Sequence, residues 1–133
     1  MIDVTFTGGS SHILCREQDS TKRRLFSIGN NDFGQLGNDN SLSSHDPVEI
    51  TSQFPEEVLQ IASGGYHTLA ITQNDMLYGF GKLSKGQFGT VWTAGKPKFA
   101  AKPERIQIPE GLEPSKVYAG SLFSMLEVTD PTK

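Results

Sequence analysis

Ile61-Ala-Ser-Gly-Gly-Tyr-His-Thr-Leu-Ala-Ile-Thr72, followed closely by Met76-Leu-Tyr-Gly-Phe-Gly81, is a passage that this chain states more than once. Aligned on His67, Gly64-Gly-Tyr-His-Thr-Leu69 falls on Gly9-Ser-Ser-His-Ile-Leu14, 55 residues upstream, and on Gly120-Ser-Leu-Phe-Ser-Met125, 56 residues downstream. The rest of the period keeps step. Phe26-Ser-Ile-Gly29 matches Tyr78-Gly-Phe-Gly81, and Gly34-Gln-Leu-Gly37 matches Gly86-Gln-Phe-Gly89. Pro47 and Pro103 each stand 20 residues before the next His67-type position. Self-similarity at one period near 50 residues marks a repeat architecture. On this reading His12, His67, Gly29, Gly34, Gly37, Gly64, Gly81, Gly86 and Gly89 are scaffold positions.

Each full period reads as four short strands. In the second unit they are Val58–Ser63, His67–Thr72, Met76–Phe80 and Pro103–Ile108, with a loop over 81–102. In the first, a strand over 4–15 breaks at Gly8-Gly9. Leu25–Ile28 alternates as a half-buried strand does. Gly29-Asn-Asn-Asp-Phe-Gly-Gln-Leu-Gly37 gathers residues that tolerate positive φ and reads as a tight loop. Asn38–Asp46 continues as polar loop and Pro47–Ile50 is a short strand whose proline favours an edge. The third unit supplies Ser115–Gly120 and Phe123–Val128 only. No segment keeps a helical period for ten residues.

Four strands in about 50 residues describe the blade of a β-propeller, a small twisted sheet that packs face to face with its neighbours. The expected fold is all-β: a partial, open propeller of two to three four-stranded antiparallel blades. One repeat domain covers 1–133, with units near 4–57, 58–114 and an incomplete 115–133. A closed ring takes at least four blades, and about two and a half are read here.

Composition narrows the function classes. Among 133 residues, 35% are hydrophobic, 20% charged and 14 are glycine. A net charge of −3 gives no general field for a polyanion, so nucleic acid is not an expected partner. A single cysteine, Cys15, excludes an internal disulfide and suits a reducing compartment. No apolar run approaches the ~18 residues of a membrane span, and the N-terminus lacks a signal-peptide pattern. Cytoplasm or nucleus is the expected location.

The loop Gly29–Gly37 and the strand Ile61–Ile71 resemble the regulator of chromosome condensation repeat family, whose units pair a Gly-x-Asn-x-x-Gly-Gln-Leu-Gly loop with a Gly-Gly-x-His-Thr/Ser-x-Ala-Leu strand. The resemblance covers roughly residues 4–128. It implies a blade fold, seven blades in complete members, and protein binding, with guanine-nucleotide exchange on a small GTPase in some members as the alternative. Phe123 departs from the pattern at the histidine, Lys82-Leu-Ser-Lys85 departs from the Asn30-Asn-Asp-Phe33 loop, and Ile28 and Phe80 stand where the family has Trp.

The repeat also weighs against chemistry. A histidine that recurs in consecutive units has a structural job, most simply a buried imidazole bonded to backbone, rather than metal ligation or catalysis. Cys15 aligns with Ala70 and reads as a buried thiol. Ser84-Lys-Gly-Gln-Phe-Gly-Thr-Val-Trp92, with Lys102 beyond it, is similar to a kinase glycine-rich loop. Its glycines already have counterparts in Gly34 and Gly37, and no kinase base or metal ligands follow. No catalytic residue, cofactor or metal is therefore expected. Positions that break the repeat are free to specialise. Residues 16–24, with Lys22, Arg23 and Arg24, and residues 90–102, with Trp92, Lys96, Lys98 and Phe99, are longer than their counterparts and are the expected partner-binding segments. Unpaired blade edges add a route to self-association.

Overall fold

The computed structural model describes residues 2–89 and 95–132. It contains ten strands: β1 Ile2–Phe6, β2 Ser10–Arg16, β3 Arg23–Gly29, β4 Ser44–Glu49, β5 Val58–Ser63, β6 His67–Thr72, β7 Met76–Lys82, β8 Phe99–Ile106, β9 Glu113–Ala119 and β10 Ser124–Thr129. Two single 3-10 turns, Thr51–Gln53 and Gln73–Asp75, are the only helical pieces among the described residues. Every strand pairing is antiparallel. β1-β2-β3-β4 form one sheet, β5-β6-β7-β8 a second, and β9-β10 a third of two strands. The chain is thus an unclosed row of propeller sheets, as its repeats require.

Two apolar layers hold the row together. Leu14, Leu25 and Ile50 on the back of the first sheet pack with Ile61, Ala70, Tyr78 and Phe80 on the front of the second. Leu69, Ile71 and Leu77 on the back of the second pack with Val117 of the third. The second sheet is covered on both faces, and β6 is buried at every position. Burial on both faces explains why Leu69-Ala-Ile71 at its centre is an apolar run rather than an alternation.

The register corrects the alignment of the first unit. Ser10 pairs with Gly29, whereas His67 pairs with Gly81. The turns agree: the amides of Thr7, Gly64 and Gly120 donate to the carbonyls of Ser10, His67 and Phe123. The structural counterpart of His67 is therefore Ser10. His12 answers to Leu69 and Cys15 to Thr72, two residues out of step with the alignment on histidine. A two-residue slip keeps a side chain on the same face of a strand, which is why His12 still points at the next sheet. It also means that Cys15 is a half-buried position beside Arg24, not the counterpart of buried Ala70.

Strand limits differ at the prolines. β4 begins three residues before Pro47 and β8 four residues before Pro103. Both are the outer strands of their sheets, so a proline with no N–H to donate can sit inside them with that side facing outward. Residues 99–102 accordingly belong to β8 and not to the preceding loop. Likewise Arg23 and Arg24 open β3. The turn before them is longer by five residues than its counterpart, since Arg24 lies nine positions after Cys15 where Met76 lies four after Thr72.

Candidate functional site

The Gly29–Gly37 loop makes two consecutive turns, with the Gly34 amide donating to Asn31 O at 3.1 Å and the Gly37 amide to Gly34 O at 3.1 Å. The second unit repeats them at Gly86 and Gly89, with 3.2 and 3.0 Å. φ is +73° and +69° at Gly34 and Gly37, and +80° and +76° at Gly86 and Gly89. Gly86 to Gly89, within the segment similar to a kinase glycine-rich loop, are thus the same turn a second time. Gln35 and Gln87 are buried and take the amides of Phe33 and Lys85 on their Oε1, each at 2.8 Å. Buried Asn31 closes the first loop, its Nδ2 donating to Asn40 O at 2.8 Å and Leu42 O at 3.0 Å while its Oδ1 accepts the Leu36 amide at 2.9 Å. Leu83 occupies that place in the second unit and provides none of this.

His12 and His67 are fully buried. His12 Nε2–H donates to Gln35 O at 2.6 Å, which leaves Nδ1 as an acceptor facing Ser63 Oγ of the second sheet, 3.4 Å away. Burial pushes its pKa down to about 4, against a smaller upward pull from the Gln35 carbonyl. His67 Nε2 lies 3.1 Å from Phe123 O and 2.9 Å from Ser124 Oγ of the third sheet. Its pKa is likewise lowered by burial, and the Phe123 carbonyl raises it in part. Both imidazoles brace neighbouring sheets, and burial favours their neutral form. Among the described residues no three His, Cys, Asp or Glu side chains converge as metal ligands.

The two segments expected to bind partners are not brought together. In a meander of this order the β2–β3 turn lies at one end of the sheets, and the β3–β4 and β7–β8 loops lie at the other. Lys22 is exposed in the first turn. Arg23 is held by Glu57, which accepts its amide at 2.6 Å and approaches its guanidinium at 3.9 Å. Arg24 is paired with Glu49 at 2.6 Å and lies 3.8 Å from Glu17. Of Lys22, Arg23 and Arg24, the two arginines are therefore matched by carboxylates. At the other end Lys96 and Lys98 are exposed, Phe99 pairs with Lys82 as β8 begins, and Trp92 lies outside the described residues.

Sequence reading missed what surrounds Lys96. Leu77, Phe88, Ile106 and Leu126 line an open cavity of about 610 Å³, with Lys96, Glu104 and Arg105 at its margin. It lies where the back of β7 and β8 runs on past the two strands of the third sheet. In the first interface the corresponding space is filled by β7 and its aromatic side chains. A second feature is a small rim cluster: Phe33 and Tyr66 meet edge to face at 5.0 Å, with Lys82 Nζ 5.2 Å from the Phe33 ring. Tyr66 had been read only as a repeat residue.

Stacked four-stranded units with recurring Gly-Gln-x-Gly turns and buried inter-sheet side chains define a β-propeller repeat protein. The regulator of chromosome condensation (RCC1) repeat matches residues 24–71, and a second form of the same repeat matches 58–87. The chain belongs to this family. It is 35% identical over 107 residues to the protein RCC2 homolog of Danio rerio, covering 80% of this chain and 21% of that protein. It is 31% identical over 118 residues to the ultraviolet-B receptor UVR8 of Arabidopsis thaliana, covering 89% of this chain and 26% of the receptor. Prp20p of Saccharomyces cerevisiae, whose structure was solved with its binding properties to Gsp1p and histones, superposes with a TM-score of 0.68 at 21% identity, over 93% of this chain and 30% of its own. This chain thus spans about a quarter of the length of these relatives. Among the described residues no helix is long and apolar enough to cross a membrane.

Proposed function

We propose that the chain acts as a non-catalytic protein-binding module in which stacked repeats carry a contact surface on the second and third sheets. The observation that carries this reading is the open apolar groove of Leu77, Phe88, Ile106 and Leu126, bordered by Lys96 from the β7–β8 loop. A concave apolar surface with a few charges at its margin suits a polypeptide partner. The histidines that could have served chemistry are committed to backbone carbonyls.

The test is capture of cellular proteins by the folded chain, compared with the triple variant Trp92→Ala, Lys96→Ala, Lys98→Ala. The expected result is loss of a protein that the parent retains, with circular dichroism and unfolding midpoint unchanged. Equal recovery by the two would remove this loop and groove from the account. A second reading, guanine-nucleotide exchange on a small GTPase, draws on the fold shared with Prp20p and on that protein's binding to Gsp1p. It expects faster nucleotide release from a purified small GTPase on addition of the chain, and an unchanged rate would exclude it.

A further inference from the structure

We propose that the rim cluster of Phe33, Tyr66 and Lys82 is a contact site for an acidic segment of a protein partner, which sets a carboxylate on the Lys82 ammonium and an apolar side chain against the two rings. This rests on the protein-binding reading above and adds a second contact, at the junction of the first and second sheets. Three observations carry it. First, the aromatic anchor is set in place. Tyr66 is 38% exposed, yet its ring meets Phe33 edge to face at 5.0 Å and lies against the backbone of Gly8, where an added Cβ would stand 3.1 Å from it. The Gly8 amide donates to Gly65 O, beside Tyr66, and the Lys82 amide donates to Tyr66 O at 2.8 Å. An aromatic side chain already held in position loses little freedom on contact, and tyrosine is enriched among interface anchors for related reasons.

Second, the cluster carries an unmatched cation. Lys82 Nζ lies 5.2 Å from the centre of the Phe33 ring and 6.0 Å from that of Tyr66. Ring faces hold an ammonium in place without neutralising it. Among the described residues no carboxylate forms an ion pair with Lys82, or with Lys85 three residues on, whereas Arg23 and Arg24 at the opposite end of the sheets are matched by Glu57 and Glu49. In a chain of net charge −3 this spot is a local reversal of sign, and its complement is an acidic group. The overall charge disfavours a long polyanion as the occupant.

Third, the scaffold does not call for these residues. The turn bonds place Tyr66 where the first unit has Gly9 and the third Leu122, and Lys82 where the first has Asn30. Lys85 stands where the first unit has Phe33, each giving its amide to the following buried glutamine. The trio is therefore assembled once, from positions at which the units differ, while the glycines, glutamines and turn bonds around it recur. Side chains that vary at the rim of a fixed scaffold are the ones available for recognition.

The test selects phage-displayed random peptides on the intact chain, with the Lys82→Glu variant as counter-selection. Enriched sequences are expected to carry Asp or Glu beside a large apolar residue. A fluorescent synthetic copy of the most enriched sequence, titrated with the chain and read by anisotropy, should bind saturably and weaken as salt is raised. Lys82→Ala and Tyr66→Ala should each weaken it at least tenfold with the unfolding midpoint unchanged. Lys82→Arg should restore most of the binding, since a guanidinium keeps the charge and stacks on aromatic rings. Failure to enrich any sequence, or enrichment of peptides without acidic residues, would overturn the proposal. So would binding indifferent to Lys82→Ala and Tyr66→Ala, or tighter binding of a single-stranded oligonucleotide through the same residues. If the triple loop variant loses a protein partner while no acidic peptide depends on Lys82, the rim contact alone falls and the protein-binding reading stands.

Discussion

Gly37 and Gly89 offer a controlled comparison, because the chain folds both into one turn conformation and, among the described residues, covers only Gly37. Alanine at either position must adopt φ near +70°, at +69° and +76° respectively, which costs an L-residue about 1–2 kcal/mol. At Gly37 the new methyl also meets Phe80 Cδ2 and Cε2, both at 2.9 Å, and Cγ at 3.2 Å. The ring cannot retreat, being fully buried with His12 at 5.5 Å and Phe54 at 6.2 Å between centroids. Overpacking of this kind costs about 1–3 kcal/mol. Gly37→Ala should thus lose about 2–5 kcal/mol and Gly89→Ala about 1–2 kcal/mol. Urea unfolding of the two variants beside the parent, followed by near-ultraviolet circular dichroism, measures the difference. Adding Phe80→Leu to Gly37→Ala should recover part of the steric loss, a coupling that a double-mutant cycle isolates. Equal costs at the two glycines, or no coupling with Phe80, would refute the claim that the first turn is clamped by the second sheet.

Acid should weaken the fold through His12. Its pKa is about 4 in the folded chain against 6.5 when exposed, so between those values the unfolded chain binds a proton that the folded one does not. Stability is then full above pH 6.5 and declines as the pH falls toward 4, by on the order of 3 kcal/mol; His12→Gln should flatten that slope in urea titrations at pH 7.5 and 5. Asn31→Ala should cost about 2–3 kcal/mol by leaving the buried Leu36 amide and two carbonyls without a partner, and exchange at the Leu36 amide should accelerate. Gly64 has no positive φ to lose, but a Cβ there would collide with Gly120 O and the His67 ring. Gly64→Ala should therefore cost about 3 kcal/mol, with early loss of exchange protection in β9 and β10 rather than in β1–β4.

Much of this fold was legible because the repeat is written in residues with few alternatives. β5 and β6 were read to the residue, since Val58–Ser63 and His67–Thr72 each centre on apolar residues and are separated by the turn formers Gly64-Gly65. The prolines misplaced the start of β4 and β8 because proline forbids a ladder donor only on a paired side, and whether a strand has a neighbour there is a property of the sheet. The slip at His12 arose from anchoring on histidine when two serines precede it. Counting back from Gly29 and Gly81, whose positions are forced by close approach to Gly9 O and Tyr66 O, would have found it. The ion pairs of Arg23 and Arg24 depend on Glu57 and Glu49, 34 and 25 residues away, and no local pattern announces them. The groove was the least legible feature. It lies where the two described strands of the third sheet leave Leu77 and Phe88 bordered by open space, a matter of packing rather than of composition.

The turn bonds between sheets have a direction. The Gly8 amide donates to Gly65 O, and the Gly65 amide donates to Ser121 O, its counterpart one unit further on. Every step uses a donor from the earlier unit and an acceptor from the later one, so the row has a head and a tail, like tiles lapped one way down a roof. Arrays in which each unit leans only on its neighbours lose structure from their ends inward. Here the two ends are unequal, with a full sheet at one and a half sheet at the other. Melting should therefore run one way along the molecule, starting at residues 113–129 and reaching the doubly covered β6 last.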